Sequence, residues 1–303
     1  MPVIIDRDLP AIEALKKENI AVLPPDDSKQ GHDLRIGILN LMPLKEMTEI
    51  DLLRLISASP LRIAIDLIET STYRGRNTPH EHLDRFYLPW DKVADRHYDG
   101  FIITGAPVEK KDFEEVFYWP ELRQIMDWTR THATSTLYIC WAALAGLYHH
   151  YGIAKQMLPR KISGVYSHRI IEPANPLLRG FDDEFLVPHS RYSEPDRKAV
   201  DRHPQLKVVT DSHAAGTHIV MSGDRREIFV TGHSEYSPMT LDYEYRRDCS
   251  VGIHPEVPAN YYRNDDPDTG EVVVRWRSHA LLLFSNWINY FVSPDTPYKS
   301  SAQ

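Results

Sequence analysis

At 303 residues, with 42% hydrophobic and 26% charged positions, the chain can bury a full core and is neither disordered nor fibrous. A formal net charge of −8 with no basic run argues against nucleic acid as the main partner. No run of about 18 uncharged apolar residues is present to span a membrane, and the charged first residues do not read as a secretory signal, so a cytoplasmic protein with no membrane association is expected.

In chain order, residues 1–33 read as an attached N-terminal arm, with a short helix over 11–18 and an apolar piece at 20–23 before the polar PPDDSKQGHD. A single α/β domain is expected over 34–303. Its first apolar runs are RIGILNL (35–41), LRIAIDLIE (61–69), GFIITGAP (100–107) and STLYICW (135–141), with helical patterns at 46–57, 112–131 and 142–151 between and after them. Alternating strands and helices imply right-handed crossovers and a parallel sheet. Strands apolar throughout imply helices on both faces. Beyond Lys161 come KISGVYSHRIIE, EFLVPHSRYSE, LKVVTDS, THIVMSG and EIFVTGHSEY, with few helices between them. These are expected as antiparallel edge additions, the last run returning to the sheet. An amphipathic helix at 278–292 closes a flavodoxin-like α/β fold.

There are two cysteines. In a reducing compartment each is a thiol, and Cys249 is read as structural. Cys140 stands where an apolar strand turns directly into a helical pattern. A helix N-terminus favours a thiolate there through unpaired N–H groups and the helix dipole. Such an elbow also raises the sulfur above the sheet, where open α/β sheets bind ligands. The bland alternative is a buried core cysteine. The N–H of Trp141 is one candidate oxyanion donor. A second comes from the GAP turn (105–107) around Ala106, whose small residues allow close backbone approach.

VTGHSEY (230–236) supplies a partner. In an extended segment, residues i and i+2 face the same way, so Glu235 can orient His233 and His233 can take a proton from Cys140. Cysteine followed by His…Glu resembles the class I glutamine amidotransferase arrangement. Its usual Gly-x-Cys-x-Gly is absent, however, since Ile139 and Trp141 flank the cysteine. No synthetase domain follows either, which favours transfer over glutamine hydrolysis.

The sequence resembles the homoserine O-acyltransferase family of methionine biosynthesis, the branch with a glutamine-amidotransferase-like fold. The matching stretches are GILNLMP (37–43), RNTPHEHL (76–83), TGAP (104–107), FYWP (117–120), STLYICWA (135–142), KISGVY (161–166), PHSRY (188–192), VTGHSEY (230–236), YRRD (245–248) and WRSH (276–279), in order along nearly the whole chain. The resemblance implies Cys140 as acyl-carrying nucleophile, His233 as general base and Glu235 as its orienter. It places Lys161, Ser190 and Arg247 at substrate contacts, with Arg247 suited to clamp the homoserine carboxylate. On residue type alone these three are a solvated amine, a turn hydroxyl and a helix-surface arginine. It further implies L-homoserine and an acyl-CoA as substrates in a ping-pong reaction, and a homodimer. No metal or cofactor is expected, acetyl-CoA entering as co-substrate.

Glu109 follows the GAP turn. In the resembled family, acetyl-CoA users tend to carry Glu at the matching position and succinyl-CoA users a small residue. A carboxylate facing the acyl pocket repels a second one by roughly 4 kcal/mol at ~4 Å and an effective dielectric near 20. The bland alternative is a solvated Glu opening the helix at 112. The expectation is a homoserine O-acetyltransferase, with succinyl-CoA as the alternative donor and a Cys-His-Glu glutaminase or hydrolase as the more distant one.

Overall fold

A computed structural model of the chain describes residues 3–25, 31–75 and 77–293. The parallel half of its sheet is built from β3 (Leu34–Leu39), β4 (Ile63–Glu69), β6 (Tyr98–Ile103) and β7 (Ala133–Ile139), with the short β5 (Tyr87–Pro89) beside β4. These strands are almost wholly buried, because helices cover both faces. α2 (Lys45–Ile56), α3 (His80–Phe86) and α4 (Trp119–His132) lie between successive parallel strands, and α5 (Trp141–Tyr151) leads from β7 into the antiparallel half. The antiparallel half comprises β8 (Lys155–Ile170), β9 (Glu184–Pro195), β10 (Leu206–Ser212) and β11 (Gly216–Ser222). β12 (Glu227–Val230) then joins the halves, antiparallel to β11 and parallel to β7. The last run therefore returns to the sheet centre, as its sequence implied.

One large apolar cluster lies on each sheet face. The first gathers residues of α2 and of α8 (Arg277–Trp287), the second those of α4 and α5. Trp287 and Trp141 are the largest fully buried side chains. The helix expected over 112–131 is split. Asp112 and Glu115 close a capping box on a short 3-10 turn, and α4 starts only at Trp119, with Pro120 in its first turn. α6 (Arg197–Arg202) and α7 (Thr240–Ser250) are further helices, and α7 faces the residues that follow the C-terminal ends of β3, β6 and β7 across one cavity.

The N-terminal segment differs most from its reading as an attached arm. β1 (Val3–Ile4) pairs with β4, and β2 (Val22–Leu23) pairs with β1, so the segment extends the sheet. Between them, α1 (Ala11–Lys17) buries Ala11, Ile12 and Leu15 in the same cluster as α2. Leu15→Ala is accordingly expected to cost roughly 2–5 kcal/mol in urea denaturation. A loss below about 0.5 kcal/mol, the size of an ordinary surface change, would show that the segment is peripheral after all. Among the described residues, no helix is long and apolar enough to cross a membrane.

Candidate active site

Cys140 stands between β7 and α5 with φ +53° and ψ −115°, a backbone state that residues with a Cβ rarely adopt. Its neighbours over-determine that strain. The Cys140 N–H donates to Val230 O at 2.7 Å, and Cys140 O accepts from Ala143 N at 3.0 Å inside the first turn of α5. The sulfur is thus presented at a helix N-terminus, and Cys140 is a free thiol. The turn after β6 packs against it. A Cβ on Gly105 would lie 3.1 Å from Cys140 Cβ, so glycine is what lets this turn approach so closely. Trp141 does not line the cavity in front of the sulfur. Its ring packs in the core against Phe113 and Tyr118.

β12 pairs with β7 in the register Val230↔Ile139, which sets the chain after β12 beside Cys140. His233 is held there by its N–H to Pro188 O at 2.8 Å. Its Nδ1 meets Glu235 Oε1 at 2.6 Å. The pairing was expected from an extended i, i+2 geometry. The segment instead turns, with Tyr236 N donating to His233 O at 3.2 Å, and the two side chains meet across that turn. The ring of Tyr236 stacks on His233 at 4.1 Å. Burial disfavours a charged His233 ring. The negative charges of the Cys140 sulfur and Glu235, with hydrogen bonds to both side chains, outweigh burial and hold the imidazolium well above its ordinary pKa. Thiol, imidazole and carboxylate therefore converge from two chain segments into one hydrogen-bonded line.

Beneath that line lies a layer that the sequence did not reveal. Burial keeps His168 (about 4), His189 and His218 neutral, the last two far below the usual histidine range. His168 Nε2 lies 3.1 Å from His189 Nε2, and Arg191 Nε donates to His189 Nδ1 at 3.3 Å. Gly232 N–H donates to His218 Nδ1 at 3.3 Å. A Cβ on Gly232 would sit 2.7 Å from Val187 Cγ1 and 2.9 Å from His189 Cε1, so only glycine lets the His233 segment rest on this floor. Each of β8, β9 and β11 contributes a single histidine, which in one dimension reads as ordinary strand polarity.

A cavity of about 450 Å³ opens over the sulfur. Cys140, His233, Ala106, Glu109, Lys161, Ser190 and Arg247 all line it. The structure thus brings together every expected site residue, except that Glu235 stands behind His233 and Trp141 presents only its backbone side to the elbow. Glu109 is tied to β9 by a hydrogen bond from Tyr192 N. Burial raises its pKa, against that hydrogen bond and the nearby charges of His233, Arg191 and Lys161. At the far end, Lys161 Nζ lies 3.2 Å from Asp248 and 3.6 Å from Glu244. Arg247 grips Asp248 Oδ1 through Nε at 3.0 Å and Nη2 at 2.7 Å. The Ser190 hydroxyl donates to Glu244, and the Tyr236 hydroxyl does so at 2.9 Å. Glu244 and Asp248 were not anticipated. Their four-residue spacing on α7 puts both on one helix face, the one signal available. Asp51 lines the same cavity, and burial pushes it up to about 6, although the Ser237 hydroxyl and Arg54 both bind it. Cys249, expected to be structural, is exposed near the end of α7.

Comparison with known proteins was made against this geometry. Residues 2–298 match the family described as HTS: Homoserine O-succinyltransferase. A protein of Bacteroides fragilis (strain YCH46) named homoserine O-acetyltransferase is 55% identical over 300 residues, 98% of each chain. One of the same name from Bacteroides thetaiotaomicron is 54% identical, again over 98% of each chain. Among solved structures, a glutamine amidotransferase from Thermotoga maritima superposes with a TM-score of 0.56 at 14% identity, over 85% of this chain and 97% of its own. At that identity the likeness is one of fold: a largely parallel central sheet flanked by helices, of the glutamine amidotransferase type.

Proposed function

The chain belongs to the homoserine O-succinyltransferase family, an acyltransferase family, and from that premise we propose that it transfers an acetyl group from acetyl-CoA to the γ-hydroxyl of L-homoserine through a thioester on Cys140. The observation that carries this reading is the hydrogen-bonded line of Cys140, His233 and Glu235 opening onto a cavity that also contains Glu109.

The first step begins with His233 holding the thiol proton, so the thiolate attacks the thioester carbonyl. The new C–S bond pushes the electron pair onto oxygen, where the N–H groups of Trp141 and Ala106 receive it. Helix geometry leaves the Trp141 N–H without an intrahelical acceptor, and losing one such donor costs on the order of 3–4 kcal/mol in comparable acyl transfers. Collapse expels the CoA thiolate, which takes the proton from His233. One thioester has replaced another. In the second step His233 accepts the γ-hydroxyl proton as that oxygen attacks the acyl-Cys140 carbonyl. The Cys140 thiolate leaves and the imidazolium pairs with it again.

Homoserine brings a carboxylate and an ammonium. Arg247 and Lys161 suit the first, with the Ser190 hydroxyl beside them, and Glu244 suits the second. Because Lys161 and Arg247 are already paired with Asp248 and Glu244, the amino acid exchanges one set of ion pairs for another and leaves no buried charge unmatched.

Acetyl is favoured over succinyl by Glu109. Ionised, its carboxylate repels a second carboxylate in the cavity; protonated, it still occupies the space a longer acyl chain needs. Donor-resolved kinetics with homoserine test this. Glu109→Gly is expected to shift the acetyl-CoA to succinyl-CoA preference ratio by roughly 100-fold or more toward succinyl, given a repulsion near 4 kcal/mol. An unchanged ratio would remove the donor assignment and leave acyl transfer to homoserine standing.

A further inference from the structure

We propose that Lys110 and Lys111, at the mouth of the Cys140 cavity, bind the phosphates of the acyl-CoA nucleotide. This rests on the acyl-transfer reading and extends it to the part of the donor that does not react. A cavity of about 450 Å³ has the size of a small ligand pocket. It accommodates an acyl group and a pantetheine arm, flanked by the apolar side chains of Met42, Leu44 and Met47. The nucleotide must then lie on the rim. Its several phosphate charges need cations there, on a chain whose net charge is −8.

Besides His233, which is paired with Cys140 and Glu235, four cationic side chains line the cavity: Lys110, Lys111, Lys161 and Arg247. Lys161 and Arg247 are committed to Glu244 and Asp248. Among the described residues, no carboxylate lies within ion-pair distance of Lys110 or Lys111, which makes them the two cations left for an anion from outside. The turn that carries them is pre-shaped. Lys155 donates to Glu109 O at 2.6 Å and to Lys111 O, and Lys111 N donates to Val108 O at 3.0 Å. The Lys110 ammonium sits 4.1 Å from the centre of the Tyr192 ring, which holds the stem on β9 while the charge stays open. The same turn begins at Gly105 against the sulfur. One short segment therefore runs from the thioester carbonyl past the acyl group to the phosphates.

A truncated donor separates this from every role in the chemistry. Acetyl-N-acetylcysteamine carries the thioester and no phosphate. In the Lys110→Gln/Lys111→Gln double variant, the ratio of kcat/KM for acetyl-CoA to kcat/KM for acetyl-N-acetylcysteamine is expected to fall roughly tenfold, two exposed charge contacts' worth. The fall should appear in KM for acetyl-CoA, with KM for homoserine retained. The wild-type preference for acetyl-CoA should also weaken with added salt, and that of the double variant much less. Equal losses on both thioesters would mean that the turn merely shapes the Cys140 pocket and would overturn the assignment, as would an unaltered ratio. If the wild type acetylates homoserine from neither thioester, the acyl-transfer reading itself falls.

Discussion

Cys140→Ser is expected to lower acetyl transfer to homoserine by on the order of 10⁵-fold or more, the scale seen when the nucleophile of a covalent relay is removed. The substitution changes one atom and leaves the backbone at φ +53°, so the hydrogen bonds to Val230 and Ala143 persist and the melting temperature should move by no more than a few degrees. The loss is then chemical. A hydroxyl holds its proton far more tightly than a thiol, and the His233–Glu235 pair is matched to sulfur, whose negative charge is a chief support of the imidazolium. Intact-protein mass spectrometry gives the complementary result. Wild-type protein incubated with acetyl-CoA alone should gain one acetyl group on the peptide containing Cys140 and lose it when homoserine is added, while the serine variant gains none. Turnover within tenfold of wild type, or an acetyl group that homoserine cannot discharge, would end the covalent proposal.

That Cys140 could be singled out from sequence has a physical basis. A continuous apolar strand run and a helical pattern meet at one residue, and only a sharp turn can join them. The parallel half of the sheet was legible for a related reason: strands buried on both faces must be apolar throughout. Other features leave weaker traces. β1 and β2 are two residues each, too short for any periodicity, so their place in the sheet rests on tertiary pairing alone. α4 was read too early because the acidic residues Asp112, Glu114 and Glu115 suit a helix start, whereas a capping box closes a separate 3-10 turn there. Glu244 and Asp248 belong to a charged helix whose default reading is a solvated face. Only the placement of α7 over the strand ends turns that face toward the thiol. The histidine floor is the extreme case, since three residues from three strands have no common sequence signal.

Glu235→Gln is expected to reduce kcat/KM by roughly 10³–10⁴-fold, comparable to neutralising the orienting carboxylate in other nucleophile–histidine relays. Two effects act together. Glu235 accepts from His233 Nδ1 at 2.6 Å, which fixes the tautomer whose Nε2 can take a proton from sulfur. A glutamine can present its amide N–H to Nδ1 instead, leaving a proton on Nε2 and nothing able to accept from the thiol. Glu235 is also one of the two anions that lift the His233 pKa against full burial. Removing it lowers the pH at which the ring loses its proton, so the thiolate–imidazolium pair gives way to neutral thiol and imidazole. The direction follows from linkage: a raised histidine pKa stabilises the folded state below the unfolded-state value near 6.5, and this is lost as pH rises through the folded pKa. The variant should forfeit that contribution, losing more stability at pH 6 than at pH 9 relative to wild type, where a merely mispacked glutamine would cost the same at both. Denaturant midpoints at the two pH values, read beside the pH profile of kcat/KM, distinguish the cases. A pH-independent stability change with near-normal turnover would place the working carboxylate elsewhere, and buried Asp51, which lines the Cys140 cavity with its pKa pushed to about 6, is the carboxylate to test next.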